Sequence, residues 1–376
     1  MVKPFSAFKR FDWILFLAII LLLSLGLIIQ YNLSARSGGP SPSDFAKQFL
    51  FSGIGLVLFF SLSFFDYRAL KNLAYLLYPL ALLLLVAVLI LGKTVRGTTG
   101  WIPLGIFNFQ AVEMVKVLLI IVLAKFWANR AQGDVRFRDV VWSGLLISLP
   151  AGLVLLQPDW GSAAIIFGLG LVMLMMANRK LSHIFIILTL IAAVICISWL
   201  FFLKDYQQDR IMTFLNPQRD PLGRGYQVTQ SIVAVGSGQI LGRGLGLGPQ
   251  SQLNFLPAAE TDFVFAVIAE ELGLAGSLLA LGLFALLFYR MAKISQGSFD
   301  NFSLFMILGV SGVIFIQLTV NVGMNIGLAP IMGIPLPLVS YGGSSLLTTL
   351  MALGIVESVS VRRVKSSFQS QIDRNF

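Results

Sequence analysis

A handful of charged side chains stand out because the chain around them is apolar. Glu113 and Lys116 lie three residues apart in one such stretch. That spacing puts them on one face of a helix, where they pair. Glu270 and Glu271 lie two helical turns beyond Asp262, a drop of roughly 12 Å at the rise of an α-helix. Adjacent residues point in different directions, so at most one of the two shares the face of Asp262. An ionisable group at membrane depth is costly, and each of these is a candidate for function. Glu357, near the end of the last apolar run, is expected to snorkel to the surface. Asp159 sits in the tight turn Gln157-Pro158-Asp159-Trp160-Gly161-Ser162, and Asp262 in Thr261-Asp262-Phe263. Each would cap the helix that follows, which leaves a ligand role open.

Other residues narrow the chemistry. Gly242, Gly244, Gly246 and Gly248 lack the G-x-G-x-x-G spacing and have no following Lys-Ser/Thr, so they are neither a dinucleotide nor a P-loop signature. They are expected to let backbone turn sharply beside a substrate. His183, the one histidine, lies beside Arg179 and Lys180, which argues against a histidine-based triad or metal site. Cys196, the one cysteine, excludes an internal disulfide framework. The loop cations Arg210, Arg219, Arg224 and Arg243 would grip a diphosphate. Five acidic residues balance that loop's five cations, so it is no basic patch.

The elements that hold these groups follow from composition. Of 376 residues, 57 % are hydrophobic and 12 % charged, and mean hydropathy is +0.86. A soluble domain carries about a quarter charged residues, so this chain belongs in a membrane. Apolar runs at 13–31, 48–65, 73–91, 109–127, 141–156, 160–177, 183–203, 263–289, 302–326 and 338–359 read as spans, a bilayer core needing roughly 20 residues per helix. Helix is the default, because every backbone polar group must be satisfied inside lipid. The fold class is therefore all-α: a single membrane domain of ten helices. The first run has no small-residue cleavage site and is long enough to stay in the membrane.

Ten spans place both termini on one side. With the termini inside, 17 Lys and Arg fall inside and 9 outside, five of the latter on one long loop at 204–262. Long loops cross largely regardless of charge, so the short-loop balance of 17 to 4 fixes the orientation. The net charge of +10 reflects this bias, with no nucleic-acid partner implied. Apolar stretches in the long loop predict short helices lying at the membrane surface. Asp159, Asp262, the Glu113–Lys116 pair and Ser340-Tyr341-Gly342-Gly343-Ser344-Ser345 then all fall at or near the outer ends of spans. That distribution suits a reaction or binding site open to lipid head groups. Two carboxylates there would serve as general base and as metal or phosphate partner.

Five stretches resemble the shape, elongation, division and sporulation (SEDS) family. They are Gln157-Pro158-Asp159-Trp160-Gly161, the run from Asp220-Pro221-Leu222-Gly223-Arg224 to Ser231, Gln250-Ser251-Gln252-Leu253-Asn254-Phe255-Leu256-Pro257, Thr261-Asp262-Phe263 with Glu270-Glu271-Leu272-Gly273, and Pro335-Leu336-Pro337-Leu338-Val339-Ser340 continuing to Ser345. Where the family usually reads Gln-Pro-Ser-Glu, this chain has Gln110-Ala111-Val112-Glu113, and Gly100 precedes Trp101 where an arginine is frequent.

The resemblance implies a peptidoglycan glycosyltransferase in the bacterial cytoplasmic (inner) membrane. It would use lipid II and undecaprenyl-diphosphate-linked glycan. The C4 hydroxyl of one lipid II attacks the sugar–diphosphate carbon of the growing chain, undecaprenyl diphosphate leaves, and a β-1,4 bond forms with inversion. Asp262 matches the catalytic aspartate, the general base. Glu113, Lys116 and Asp159 match positions lining the family's central cavity, and Arg210, Gln250, Ser340, Gly342, Gly343 and Ser344 complete the expected substrate-binding set. A divalent cation (Mg2+ or Mn2+) or an arginine would neutralise the leaving diphosphate. A class B penicillin-binding protein, a transpeptidase, is the expected partner beside membrane lipid. Two rivals remain at this point: a flippase for the same precursor, and a scaffold that only recruits the transpeptidase. The absence of a visible inverted repeat of interrupted helices counts against the flippase.

Overall fold

The computed structural model describes residues 9–34, 42–95, 98–103, 105, 108–130, 135–177, 212–214, 216–220, 223–298 and 300–362. Nine of the ten expected spans are helices among these residues: α1 (Trp13–Ser34), α2 (Pro42–Phe64), α3 (Tyr67–Leu91), α4 (Ala111–Ala128), α5 (Phe137–Leu156), α6 (Trp160–Ala177), α9 (Val264–Gln296), α10 (Asn301–Asn325) and α11 (Gly343–Val361). Between α6 and α9 come the shorter α7 (Arg224–Ser237) and α8 (Pro249–Gln252). The seventh expected span lies outside the described residues, with His183, Cys196 and Arg210. Eight of the nine helices are long and apolar enough to cross a membrane. The ninth, α4, carries Glu113, Lys116 and Lys125 in 18 residues.

The spans are apolar on all sides, and they sort by packing partner rather than by an amphipathic stripe. Ile90, Tyr75 and Val57 point outward and are well exposed, as suits helices whose solvent is lipid. α11 is buried along most of its length and packs along α2, while α4 packs against α3 and α10. Small residues allow the close approaches, as membrane helices favour. A Cβ on Gly26 of α1 would meet the Val339 carbonyl oxygen at 2.5 Å.

Three features depart from the all-α expectation of ten plain helices. First, the connection between α3 and α4 is a small antiparallel sheet of β1 (Lys93–Val95), β2 (Thr98–Pro103) and β3 (Asn108–Gln110), in order β1-β2-β3. Its strands are too short for their apolar alternation to show in sequence. Second, the last span begins at Gly343 rather than at 338, because Ser340 and its neighbours form turns held by side chains of other helices.

Third, α9 is interrupted at Gly273, whose φ of 66° and ψ of −160° are non-helical. The loop after α7 fills the gap. Leu274 and Ala275 donate backbone N–H groups to the carbonyls of Gln239 and Ile240 (2.8 and 3.0 Å). Arg243 and Gly244 donate in return to the carbonyls of Glu270 and Glu271 (2.9 and 3.0 Å). Gly273 lies nine residues into α9, about 14 Å from its start at helix rise. The loop therefore re-enters the apolar layer, with Leu241 81 % exposed. Backbone is tolerated at that depth because its polar groups are partnered. Two short helices do form in the long loop, as α7 and α8, and the segment joining them dips between α9's two halves. Two of the glycines serve this contact: Gly244 donates to the Glu271 carbonyl, and a Cβ on Gly242 would meet the same oxygen at 2.1 Å. An interrupted helix is thus present after all, sealed by the chain itself.

At the end assigned to the inside, Asp12 caps α1 through Leu15 N–H at 3.0 Å and receives a two-pronged contact from Arg290. Glu357 accepts Asp12 N–H at 2.7 Å and is fully buried. It does not snorkel, because α1 and α9 close over it.

Candidate functional site

Asp262 stands at the mouth of α9, where a strained turn meets two other elements. Ala258, at a φ of 54°, offers its carbonyl to the N–H groups of Thr261, Asp262 and Phe263. Asn321 and Asn325 of α10 both donate to the Asp262 carbonyl, at 3.0 and 3.1 Å. Asn321 also donates to Ile334 O at 2.8 Å, and Asn325 accepts Ala266 N–H at 2.9 Å, pinning the first turn of α9. The hydroxyl of Ser340 donates to Thr261 O at 2.5 Å and accepts Leu336 N–H at 2.9 Å. Tyr341 N–H and the Gln30 side chain both donate to Glu260 O at 2.8 Å. Leu338, opposite, has a φ of 66°. Non-glycine residues in left-handed conformation persist only where surroundings over-determine them, and they cluster at functional sites. One oxygen of the Asp262 carboxyl faces Gly333: a Cβ there would lie 3.8 Å from it.

A second group lies in α4. Lys116 Nζ donates to Glu113 Oε1 at 2.7 Å, and both side chains are about 95 % buried or more. The pair lines a small cavity of about 20 Å³ between α4, α10 and α11, together with Gln317, Thr348 and Thr349. Ala111 opens α4 at its first helical position, a place where proline also fits because its missing N–H is not needed. The departure from the family's proline therefore leaves Glu113 and Lys116 in place.

The other expected site residues spread around these two groups. Asp159 accepts Ser162 N–H at 3.0 Å and the Ser162 hydroxyl at 2.8 Å, so it caps α6. Gln157, beside it, is buried and ties the turn to α3 and β2. Ser344 accepts Gln110 N–H at 2.9 Å and donates to Asn108 O at 3.3 Å, fastening β3 to the start of α11. Gly342 N–H donates to Gln48 Oε1 at 3.3 Å, and a Cβ on Gly343 would meet the Phe51 ring at 2.8 Å. Ser340 and Ser344 are thus both engaged with backbone. Gln250 differs, since its side-chain Oε1 is buried without a partner. Arg210 lies outside the described residues; Arg219 and Arg243 are exposed.

Glu270 and Glu271 turn away from Asp262. Glu270 accepts the N–H groups of Gln250 and Ser251 at 2.7 and 2.9 Å, which caps α8. Glu271 takes the side-chain amides of Gln252 and Asn32 at 3.1 and 3.4 Å. They hold the re-entrant loop. Tyr341 is raised to about 12 by burial, with the Asp44 carboxylate beside it adding to the shift. Among the described residues no three histidine, cysteine or acidic side chains come together as a metal cage. The amide row Gln317, Asn321 and Asn325, spaced by four in an apolar span, escaped the sequence reading. That spacing on one helix face was its signal.

The profile of the family described as "Cell cycle protein", covering FtsW, RodA and SpoVE, matches residues 12–365. The peptidoglycan glycosyltransferase MrdB of Escherichia coli (strain K12) is 39 % identical over 310 residues, 82 % of this chain and 84 % of that protein. Stage V sporulation protein E of Bacillus subtilis (strain 168) is 38 % identical, across 93 % of this chain and 96 % of its own. Among solved structures, a chain from work on the structural coordination of polymerization and crosslinking by a peptidoglycan synthase complex superposes with a TM-score of 0.79. It is 35 % identical and covers 95 % of this chain and 99 % of its own length.

Proposed function

Because the chain belongs to the cell cycle protein family of FtsW, RodA and SpoVE, we propose that it is a peptidoglycan glycosyltransferase polymerising lipid II outside the bacterial inner membrane, in service of elongation and shape. The observation that carries this reading is the construction around Asp262. Four polar side chains from three other elements (Gln30, Asn321, Asn325, Ser340) fix the backbone of residues 260–262. Rigid support of this kind is what a general base needs to hold its geometry.

In the reaction, the C4 hydroxyl oxygen of one lipid II forms a bond to C1 of the sugar–diphosphate at the end of the growing chain. The C1–O bond to the diphosphate breaks, and undecaprenyl diphosphate departs with that electron pair. Asp262 takes the hydroxyl proton. Among the described residues no closed cage for a metal comes together. A Mg2+ or Mn2+ would rest on a single carboxylate, phosphate oxygens and water, the coordination magnesium favours, and it would neutralise charge on the leaving group. The partner is a class B penicillin-binding protein that cross-links the product. The solved peptidoglycan synthase complex, which couples polymerization to crosslinking, supports that pairing.

The test is lipid II polymerisation by wild type and Asp262→Asn, each with the transpeptidase, read as glycan ladders. Polymer from wild type and at least a hundredfold less from a folded Asp262→Asn is expected, in line with the usual worth of a general base. Equal polymer from both removes Asp262 as the base. Relocation of lipid II across vesicles without any polymer moves the reading to a flippase.

A further inference from the structure

Lys71, Tyr75 and Tyr78 follow one another along one face of α3, spaced by four and three residues. The Tyr78 hydroxyl donates to Leu146 O of α5 at 3.3 Å. About one turn nearer the end assigned to the inside, Lys125 of α4 lays its Nζ over the Tyr75 ring, 3.7 Å from the centroid. Lys71 stands a further turn towards that end, close enough for its ammonium to repel that of Lys125. Three helices therefore bring two cations and an aromatic ring to one cleft. Lys71 lies near the start of α3 and Lys125 near the end of α4. Each is about one helical turn in, which is head-group depth, and lysine stems reach the interface from there.

These two lysines differ from their neighbours in having no acidic partner. Arg130 pairs with Asp139 at 2.8 Å, Arg290 with Asp12 at 2.5 Å and Arg362 with Asp66 at 3.6 Å. Asp66 and Asp139, the carboxylates at the inner ends of α3 and α5, are thereby committed, and each also accepts a backbone N–H. Among the described residues no hydrogen bond or ion pair holds Lys71 or Lys125. Two like charges drawn together at the edge of a low dielectric repel, and an anion between them reverses the sign of the interaction.

The cleft also selects what carries that anion. Tyr75 and Leu76 on α3, and Trp142 one turn inside Leu146 on α5, are each more than half exposed. Apolar walls therefore continue from the two cations into the membrane, where acyl chains lie. A phosphate with no cation of its own suits the lysines, whereas the trimethylammonium of a choline head group meets them with like charge. Basic pockets between helices at the cytoplasmic side hold anionic head groups in this manner.

We propose that the cleft between α3, α4 and α5 binds one anionic phospholipid of the inner leaflet, with its phosphate between Lys71 and Lys125. The site lies at the opposite membrane face from Asp262, and it does not depend on the glycosyltransferase reading.

Two measurements on the full chain test it, and neither needs turnover. The first is native mass spectrometry in detergent with equimolar phosphatidylglycerol and phosphatidylcholine of identical chains. Wild type is expected to retain phosphatidylglycerol about tenfold better, given the usual worth of two basic residues at a membrane surface. The preference falls to within about twofold in the double variant Lys71→Gln, Lys125→Gln, and about threefold in Tyr75→Leu, which keeps both charges but releases Lys125 from the ring. Lys293→Gln, an exposed cation at the same membrane face, keeps the wild-type preference. The second is thermal unfolding. Phosphatidylglycerol raises the melting temperature of wild type and leaves the double variant unmoved, while sn-glycerol 3-phosphate at the same concentration raises neither. Without lipid, the double variant melts at or above wild type, because a repulsion is gone.

An undiminished preference in the double variant overturns the proposal, as does an equal loss in Lys293→Gln, which would make the effect one of net charge. A shift by glycerol phosphate as large as that by the lipid overturns the lipid as occupant. A double variant that melts several degrees below wild type without lipid shows that the lysines serve packing, and this too overturns the site.

Discussion

The side-chain amide of Asn321 donates to the backbone carbonyl of Asp262 at 3.0 Å, across 59 residues of sequence. The same nitrogen reaches Ile334 O at 2.8 Å. One buried side chain therefore joins the start of α9 to the loop before α11 and sets where the Asp262 carboxyl stands.

Asn321→Leu is expected to strand the Ile334 carbonyl and to leave the Asp262 carbonyl to Asn325 alone. Each unsatisfied buried group costs about 1–3 kcal/mol, so the variant should melt several degrees below wild type. Polymer yield should fall at least tenfold, because a small misplacement of a reacting group costs far more rate than stability. Gel ladders and thermal unfolding of the same preparation check both halves.

The Glu113–Lys116 pair has a different signature. Removing one partner leaves a buried charge alone, a loss of about 3–5 kcal/mol, whereas replacing both by apolar or neutral groups is often neutral. Glu113→Gln and Lys116→Met should each destabilise strongly, and the double variant should recover most of the melting temperature. A double variant as unstable as either single would show that the charges have further partners.

Gly273→Ala tests the sealed break in α9. A Cβ there would lie 2.3 Å from Gly242 N and 2.6 Å from Ile240 O, on a backbone with φ at 66°. Both clashes are with backbone, which has little room to yield. Expected is loss of monodisperse protein on size exclusion, while Gly282→Ala, with nothing within 4 Å of its Cβ, behaves as wild type.

Tyr341 makes a pH prediction. It lies in the turns before α11, outside the spans. Its folded-state value is pushed up to about 12 by burial and by the Asp44 carboxylate. A group raised on folding holds its proton more tightly in the native state. Its contribution is fully present below the usual tyrosine range near pH 10 and is lost as pH rises towards 12. Tyrosinate absorbance during alkaline titration should show a late-ionising phenol that Tyr341→Phe removes. Stability of that variant should fall less steeply above pH 10.

Much of this was legible in the chain itself, for local reasons. Apolar runs of about twenty residues read as spans because a helix satisfies every backbone polar group of its own segment inside lipid. Glu113 and Lys116 pair because three residues make nearly one helical turn. Asp159 caps α6 because it stands directly before the helix. Partnerships between distant segments were not legible. Glu270 and Glu271 looked like functional acids beneath Asp262, yet they cap α8 and clasp the re-entrant loop, an outcome decided by where α7 returns the chain. The Ser340 hydroxyl ties Thr261 to Leu336, a partnership that no spacing along the chain reveals. Glu357 was expected to reach water, and α1 and α9 bury it. Nothing along the chain shows how deep Gln317 sits; the packing of α10 against α4 and α11 buries it. Spacing along one element determines which side chains share a face; only packing between elements decides which polar groups are satisfied, and so which remain for a ligand.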